Sequence, residues 1–118
     1  MAEVGIKNFI NGPEGFTPDN EFCLGETSVG GFYVAAGFCA HGIAGAGGIG
    51  KVVAEWIVAG EPTMDLWHMD IKRFGASYES PDFTLQRITE NYEQYYDIHY
   101  PGEERTSARP KFVSPVYE

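Results

Sequence analysis

Over the first third of the chain, apolar residues fall in short blocks cut by glycine and proline; beyond that they follow helical spacing. Gly5-Ile6-Lys7-Asn8-Phe9-Ile10 reads as a strand, closed by the turn residues Asn11-Gly12-Pro13. A second turn region follows at Phe16-Thr17-Pro18-Asp19-Asn20, then a short strand at Phe22-Cys23-Leu24, and a loop that ends at Gly30-Gly31. Phe32-Tyr33-Val34-Ala35-Ala36 has no polar alternation, which predicts a strand covered on both faces. A loop with glycine at each end, Gly37-Phe38-Cys39-Ala40-His41-Gly42, leads into a predicted helix over 43–59. Ala46, Ile49, Val53, Trp56 and Ile57 share one side of that helix, Gly60 supplies its stop, and Pro62 cannot continue it.

Glu61-Pro62-Thr63 reads as a linker, followed by mixed acids and aromatics with a short helix near residues 71–74. Ser80-Pro81-Asp82 is a helix start: a serine N-cap, proline in the first turn, and an acid near the positive end of the dipole. Leu85, Ile88, Tyr92, Tyr95, Tyr96 and His99 keep helical spacing, so the second helix is expected over about 82–99, ending at Pro101-Gly102. Residues 103–118 carry two further prolines and read as extended. The fold class that follows is α+β: short strands and turns, a glycine-rich helix, a linker and a second helix.

Composition adds limits. The 118 residues are 43% hydrophobic and suffice for one domain with a core of its own. Seventeen acids against eight bases give a net charge of −9, which repels phosphate backbones and anionic lipid headgroups, so neither nucleic acid nor a membrane surface is an expected partner. Residues 27–50 lack charged side chains, but their many glycines favour a buried strand, turn and helix over a membrane span. Cys23 and Cys39 read as reduced thiols, and no basic, apolar leader opens the chain, so a cytoplasmic location is expected, or the mitochondrial matrix in a eukaryote. No His/Cys cluster has zinc spacing.

Gly45-Ala46-Gly47-Gly48-Ile49-Gly50 spells a dinucleotide-binding pattern, G-x-G-x-x-G, in the wrong context. Eight residues separate it from the strand ending at Ala36, where the fingerprint needs its glycines directly after the strand. These glycines are expected inside the helix, where they permit close approach to something flat despite costing about 1 kcal/mol each relative to alanine.

The ordered pieces Asn11-Gly12-Pro13, Phe16-Thr17-Pro18-Asp19, Leu24-Gly25-Glu26, Ala35-Ala36-Gly37-Phe38, His41-Gly42-Ile43, Ala46-Gly47-Gly48-Ile49-Gly50, Ala54-Glu55-Trp56-Ile57 and Gly60-Glu61-Pro62 resemble the C-terminal end of the FAD-binding domain of the dimethylglycine and sarcosine dehydrogenase family, within the D-amino-acid-oxidase-like flavoproteins. Asp65-Leu66-Trp67, Asp70-Ile71-Lys72-Arg73-Phe74, Tyr100-Pro101-Gly102-Glu103-Glu104-Arg105, Ala108-Arg109-Pro110 and Ser114-Pro115-Val116-Tyr117 resemble the start of that family's central domain. The resemblance implies a segment of an α/β flavin-binding domain over 1–61 and of a central domain over 62–118. It implies an FAD-dependent oxidative N-demethylation, with hydride passing to flavin N5, in a longer parent; this chain alone is expected to be inactive. It implies as partners an N-methyl amino acid substrate and an N-terminal FAD-binding half, since the family's own dinucleotide-binding glycines lie upstream of the matched region. The rival reading is a non-catalytic subunit, or one half of a split enzyme that needs such a partner chain.

By that resemblance Gly37, Phe38, Cys39, Ala40, His41, Gly42 and Ile43 would contact the flavin. Backbone N–H groups at a helix start stabilise the negative charge that builds on a reduced flavin ring. His41, the one titratable group of that loop apart from the Cys39 thiol, is the catalytic candidate. Pro13, Glu14, Phe16 and Asp19 would pass near the substrate cavity, and Phe16 and Tyr33 offer aromatic faces to a methylammonium group. Tyr92, Tyr95 and Tyr96 read as core and interface, His68 and His99 as helix-surface or core-edge residues, and Cys39 as packing.

Overall fold

A computed structural model describes residues 4–106 and Val116. Two strands, β1 (Cys23–Glu26) and β2 (Tyr33–Ala36), form an antiparallel hairpin with Leu24 opposite Ala35. An 18-residue helix, α1 (Gly42–Ala59), follows. Three short 3-10 turns then lead to the second helix, α2 (Pro81–Glu93). One turn, Ile71–Arg73, coincides with the expected short helix, and the chain beside it adds a parallel bridge from Asp70 to Leu24.

Two of the three helix ends predicted from end signals hold. Gly60 sits in the left-handed region at φ 82° and its N–H donates to Trp56 O at 2.8 Å. Ser80 caps α2 by accepting from Phe83 N at 3.4 Å, with Pro81 and Asp82 in the first turn. The far end of α2 differs: it stops at Glu93, and 3-10-type bonds from Tyr95 N to Tyr92 O and from Asp97 N to Gln94 O turn the chain aside. His99 therefore lies beyond the helix. The segment 5–10 forms no strand and is exposed, because no strand among the described residues lies beside it to share a ladder. Residues 103–106 are irregular, and most of the expected extended tail, with Ala108-Arg109-Pro110 and Ser114-Pro115, lies outside the described residues.

The core is smaller than the chain length promised. Leu24, Cys39 and Trp56 are the buried hydrophobic residues among those described. β2 is half-buried at Tyr33 and Val34 and exposed at Ala35 and Ala36, and α1 buries Trp56 but leaves Ile43, Ile57 and Val58 open. A strand and helix predicted to be covered are thus covered on one side at most, because a two-stranded hairpin offers one layer where such segments need two. α1 is the one helix among the described residues long and apolar enough to cross a membrane. What cohesion exists centres on the Trp56 indole. It packs edge-on to Tyr33 and fills the space over Gly25, where an added Cβ would stand 2.3 Å from the indole.

The linker-side segment is tied to the N-terminal turns by one ion pair. Arg73 donates from Nε to Asp19 Oδ2 at 2.7 Å and from Nη2 to Asp19 Oδ1 at 2.9 Å, a two-point match of guanidinium to carboxylate. Its remaining donors reach Glu21 O and Asp70 O, both at 3.0 Å, and its plane lies over the Phe74 ring. The Arg73 side chain is 7% exposed and that of Asp19 28%. Burial pushes the Asp19 carboxyl upward, but the Arg73 bonds, the Glu21 amide and the guanidinium charge outweigh it and hold the group below its ordinary value. Since the folded-state value is the lower one, the stabilisation is full above the unfolded value of 3.8 and is lost as pH falls through the folded value. Asp19→Asn should therefore lower stability by about 1–2 kcal/mol at neutral pH, less than for a fully buried pair because solvent reaches Asp19. Urea midpoints of the two proteins should draw together as the pH is taken below that of the unfolded carboxyl, and a gap unchanged down to acid pH would remove Asp19 from the account.

Candidate functional site

Residues 37–43 join β2 to α1, and three of them adopt left-handed backbone: Gly37 at φ 64°, Cys39 at 45° and Ala40 at 67°. Glycine serves at 37 for a second reason, since a Cβ there would stand 2.6 Å from Thr17 Cγ2. Cys39 and Ala40 have no such freedom, and each left-handed L residue costs about 1–2 kcal/mol. The surroundings hold them there. The buried Cys39 Sγ accepts from Thr17 N at 3.4 Å and donates to Gly37 O at 3.3 Å, and Cys39 N donates to Gly15 O at 3.3 Å. The Cys39 carbonyl accepts twice, from the Tyr95 hydroxyl at 2.8 Å and from His41 Nδ1 at 2.7 Å. A carbonyl only accepts, so Nδ1 carries the imidazole proton in this arrangement.

Downstream the turn becomes α1, whose first helical bond runs from Gly45 N to His41 O at 2.9 Å. The amides of Gly42, Ile43 and Ala44 precede it and have no helical acceptor. No side chain caps them, and no acid lies in the first turn. Ile43 is 98% exposed. The result is a donor-rich, uncapped helix start that favours electron-rich groups. Around the next turns the space is open: a Cβ at Gly47, Gly48 or Gly50 would meet nothing within 4 Å. The pattern at 45–50 does lie inside the helix, and the expected close neighbour of its glycines is absent from the described residues except at Gly45, where Phe22 and Ile49 approach.

The candidate side chains are only partly brought together. His41 is exposed, edge-on to Tyr95 and in contact with its hydroxyl, at the mouth of a cleft of about 440 Å³ shared with Asn20, Glu21, Phe22 and Tyr96. Phe16 lines a separate groove with Glu14 and Tyr92 and meets the Tyr92 and Tyr95 rings edge-on. Tyr33 does not join Phe16; it packs on Trp56 across the hairpin. Asp19 is spent on Arg73, and Pro13 is exposed. His68 lies exposed in a 3-10 turn, and exposed His99 contacts Arg105. Among the described residues no group of three or more His, Cys, Asp or Glu could hold a metal ion.

Both cysteines are free thiols. Burial raises the Cys23 thiol above its ordinary range, and the nearby Arg73 offsets this only in part, so that thiol is not poised as a nucleophile; Cys39 is buried at 1% exposure. Thr17, Arg73 and Tyr95 hold parts of this arrangement and were not among the candidate site residues. Helical spacing marked Tyr95 as packing, but its hydroxyl partner lies 56 positions away and leaves no local trace.

Known proteins are similar to this chain in sequence. Residues 59–114 match the FAD-dependent oxidoreductase central domain. Over essentially the whole chain, identity is 36% to the formaldehyde-forming 4-methylaminobutanoate oxidase of Paenarthrobacter nicotinovorans, 34% to human mitochondrial sarcosine dehydrogenase, and 38% to the mouse mitochondrial pyruvate dehydrogenase phosphatase regulatory subunit. The chain spans about 14% of the length of these relatives.

The loop geometry can be tested directly. Gly37→Ala combines a left-handed backbone with the close approach to Thr17 and should cost about 2 kcal/mol. In a Cys23→Ser background, Cys39 should then react with a soluble disulfide reagent markedly faster than in the parent. Equal rates would show that Gly37 does not hold the thiol in place.

Proposed function

We propose, from its match to the FAD-dependent oxidoreductase central domain and its similarity to the sarcosine and dimethylglycine dehydrogenases, that the chain forms the flavin-facing loop and the first part of the central domain of an enzyme that oxidises N-methyl amines. The observation that carries this reading is the uncapped start of α1 beside an open glycine face. Three free amides, with open space at Gly47, Gly48 and Gly50, suit a flat, electron-rich ring. FAD, when bound, supplies the acceptor for the hydride removed from the N-methyl carbon.

The chain's own part is positioning. Gly42, Ile43 and Ala44 present N–H groups where negative charge develops, and Gly47, Gly48 and Gly50 allow close approach. Gly37, Phe38, Cys39 and Ala40 set the angle at which the helix begins. His41, the catalytic candidate, stands at the edge of that loop with Nδ1 bonded to Cys39 O and Nε2 3.1 Å from the Tyr95 hydroxyl. The substrate is an N-methyl amino acid, and the phosphate-binding glycines come from an N-terminal FAD-binding half. The enzyme works in the mitochondrial matrix in a eukaryote and in the cytoplasm of a bacterium, without nucleic acid or membrane partners.

A second reading is a non-catalytic subunit that keeps the family's sequence. The relative named as a regulatory subunit, at 38% identity, favours it. The two separate on the polypeptide as it occurs in its source, recovered with an antibody to residues 80–100. The enzyme reading expects bound flavin and a mass well above 13.0 kDa. It also expects that the purified 118-residue chain does not turn over sarcosine or dimethylglycine. Recovery at 13.0 kDa without flavin would favour the subunit.

A further inference from the structure

We propose that Tyr95 is a positioning residue: its hydroxyl, with the His41 ring, clamps the Cys39 carbonyl and so fixes the left-handed turn from which α1 starts. Tyr95 lies within the central-domain match, 56 positions from the carbonyl it binds. Two consecutive non-glycine residues, Cys39 and Ala40, hold positive φ, a backbone conformation that L side chains rarely adopt. From the sulfur side, Thr17 and Gly37 fix Cys39. From the carbonyl side, Tyr95 at 2.8 Å is the one partner outside the loop among the described residues, since the other, His41, belongs to the turn itself.

Packing places the hydroxyl. The Tyr95 ring is edge-on to Phe16, to His41 and to Tyr96, and the early stop of α2 at Glu93 turns it toward the loop. α2 is in turn anchored to the N-terminal turns by Asn91 Nδ2, which donates to Pro18 O. The clamp thus couples the central-domain segment to the start of α1. Its existence stands on geometry alone; its consequence for a flavin rests on the function proposed above.

The test is Tyr95→Phe in the full chain, with Tyr92→Phe as the control. Tyr92 also packs on Phe16, but no hydrogen bond from its hydroxyl to the loop is seen. The readouts are the imidazole ¹⁵N resonances of His41 and the exchange rates of the Cys39 and His41 amides, which bond to Gly15 O and Phe38 O. Tyr95→Phe should shift the His41 resonances and speed exchange at both amides by about tenfold, the loss of roughly one net hydrogen bond, while Tyr92→Phe does neither. Resonances and rates unchanged in Tyr95→Phe, or matched by Tyr92→Phe, would overturn the clamp. If the flavoprotein's visible spectrum stays fixed while the His41 resonances move, the clamp stands and the flavin assignment of the loop falls.

Discussion

The two-point bond between Arg73 and Asp19 is the constraint on which the rest of the arrangement depends. Without it the segment after Gly60 would have little to rest on, because α1 and the hairpin bury few of their apolar residues. With it, Asp70 is brought beside Leu24 as a bridge, the 3-10 turns follow the hairpin edge, and α2 is delivered back across the N-terminal turns. Asn91 and Tyr95 then complete the loop closure, one on Pro18 and the other on Cys39. Closing a loop of that length costs entropy whichever contact does it. A bidentate, largely enclosed arginine suits the task, because its fork fixes orientation as well as distance.

The same economy explains the sparse core. Hydrophobic residues at helical spacing along α1 were read as one buried side, yet only Trp56 is enclosed, and it is enclosed by the indole-shaped gap that Gly25 leaves. The exposed Ile43, Ile57 and Val58, together with the vacant space at Gly47, Gly48 and Gly50, describe a helix whose sequence is written for more neighbours than these residues provide. That relatives align along the whole chain but are about seven times longer is in keeping with this.

Local signals were legible where the physics is local. Gly60 and Ser80-Pro81-Asp82 marked helix ends because a left-handed cap and an N-cap are decided by residues in place. The two strands, though not their pairing, were readable from two short apolar runs, and the glycine pattern was correctly placed within a helix by its distance from Ala36. The false strand at 5–10 and the over-long second helix share one cause. Periodicity reports which side of a segment is apolar, but whether a ladder partner exists, or where a ring is wanted elsewhere, is decided by residues far away in sequence. Arg73 and Tyr95 illustrate the point. Each looks ordinary in its own window, and each acquires its role from a partner more than fifty positions upstream.

The loop at 37–43 was found by its glycines and by its resemblance to a family, and its structure supplies what neither could. Glycine explains only Gly37. The neighbouring Cys39 and Ala40 take left-handed backbone against their own preference, so the conformation must be imposed from outside. Thr17 imposes it through the thiol and Tyr95 through the carbonyl, one from each end of the chain. A turn held in this way transmits the packing of the second helix to the first amides of α1. The position of those amides is therefore a property of the whole segment, and a change in the central-domain part can alter the helix start without touching it.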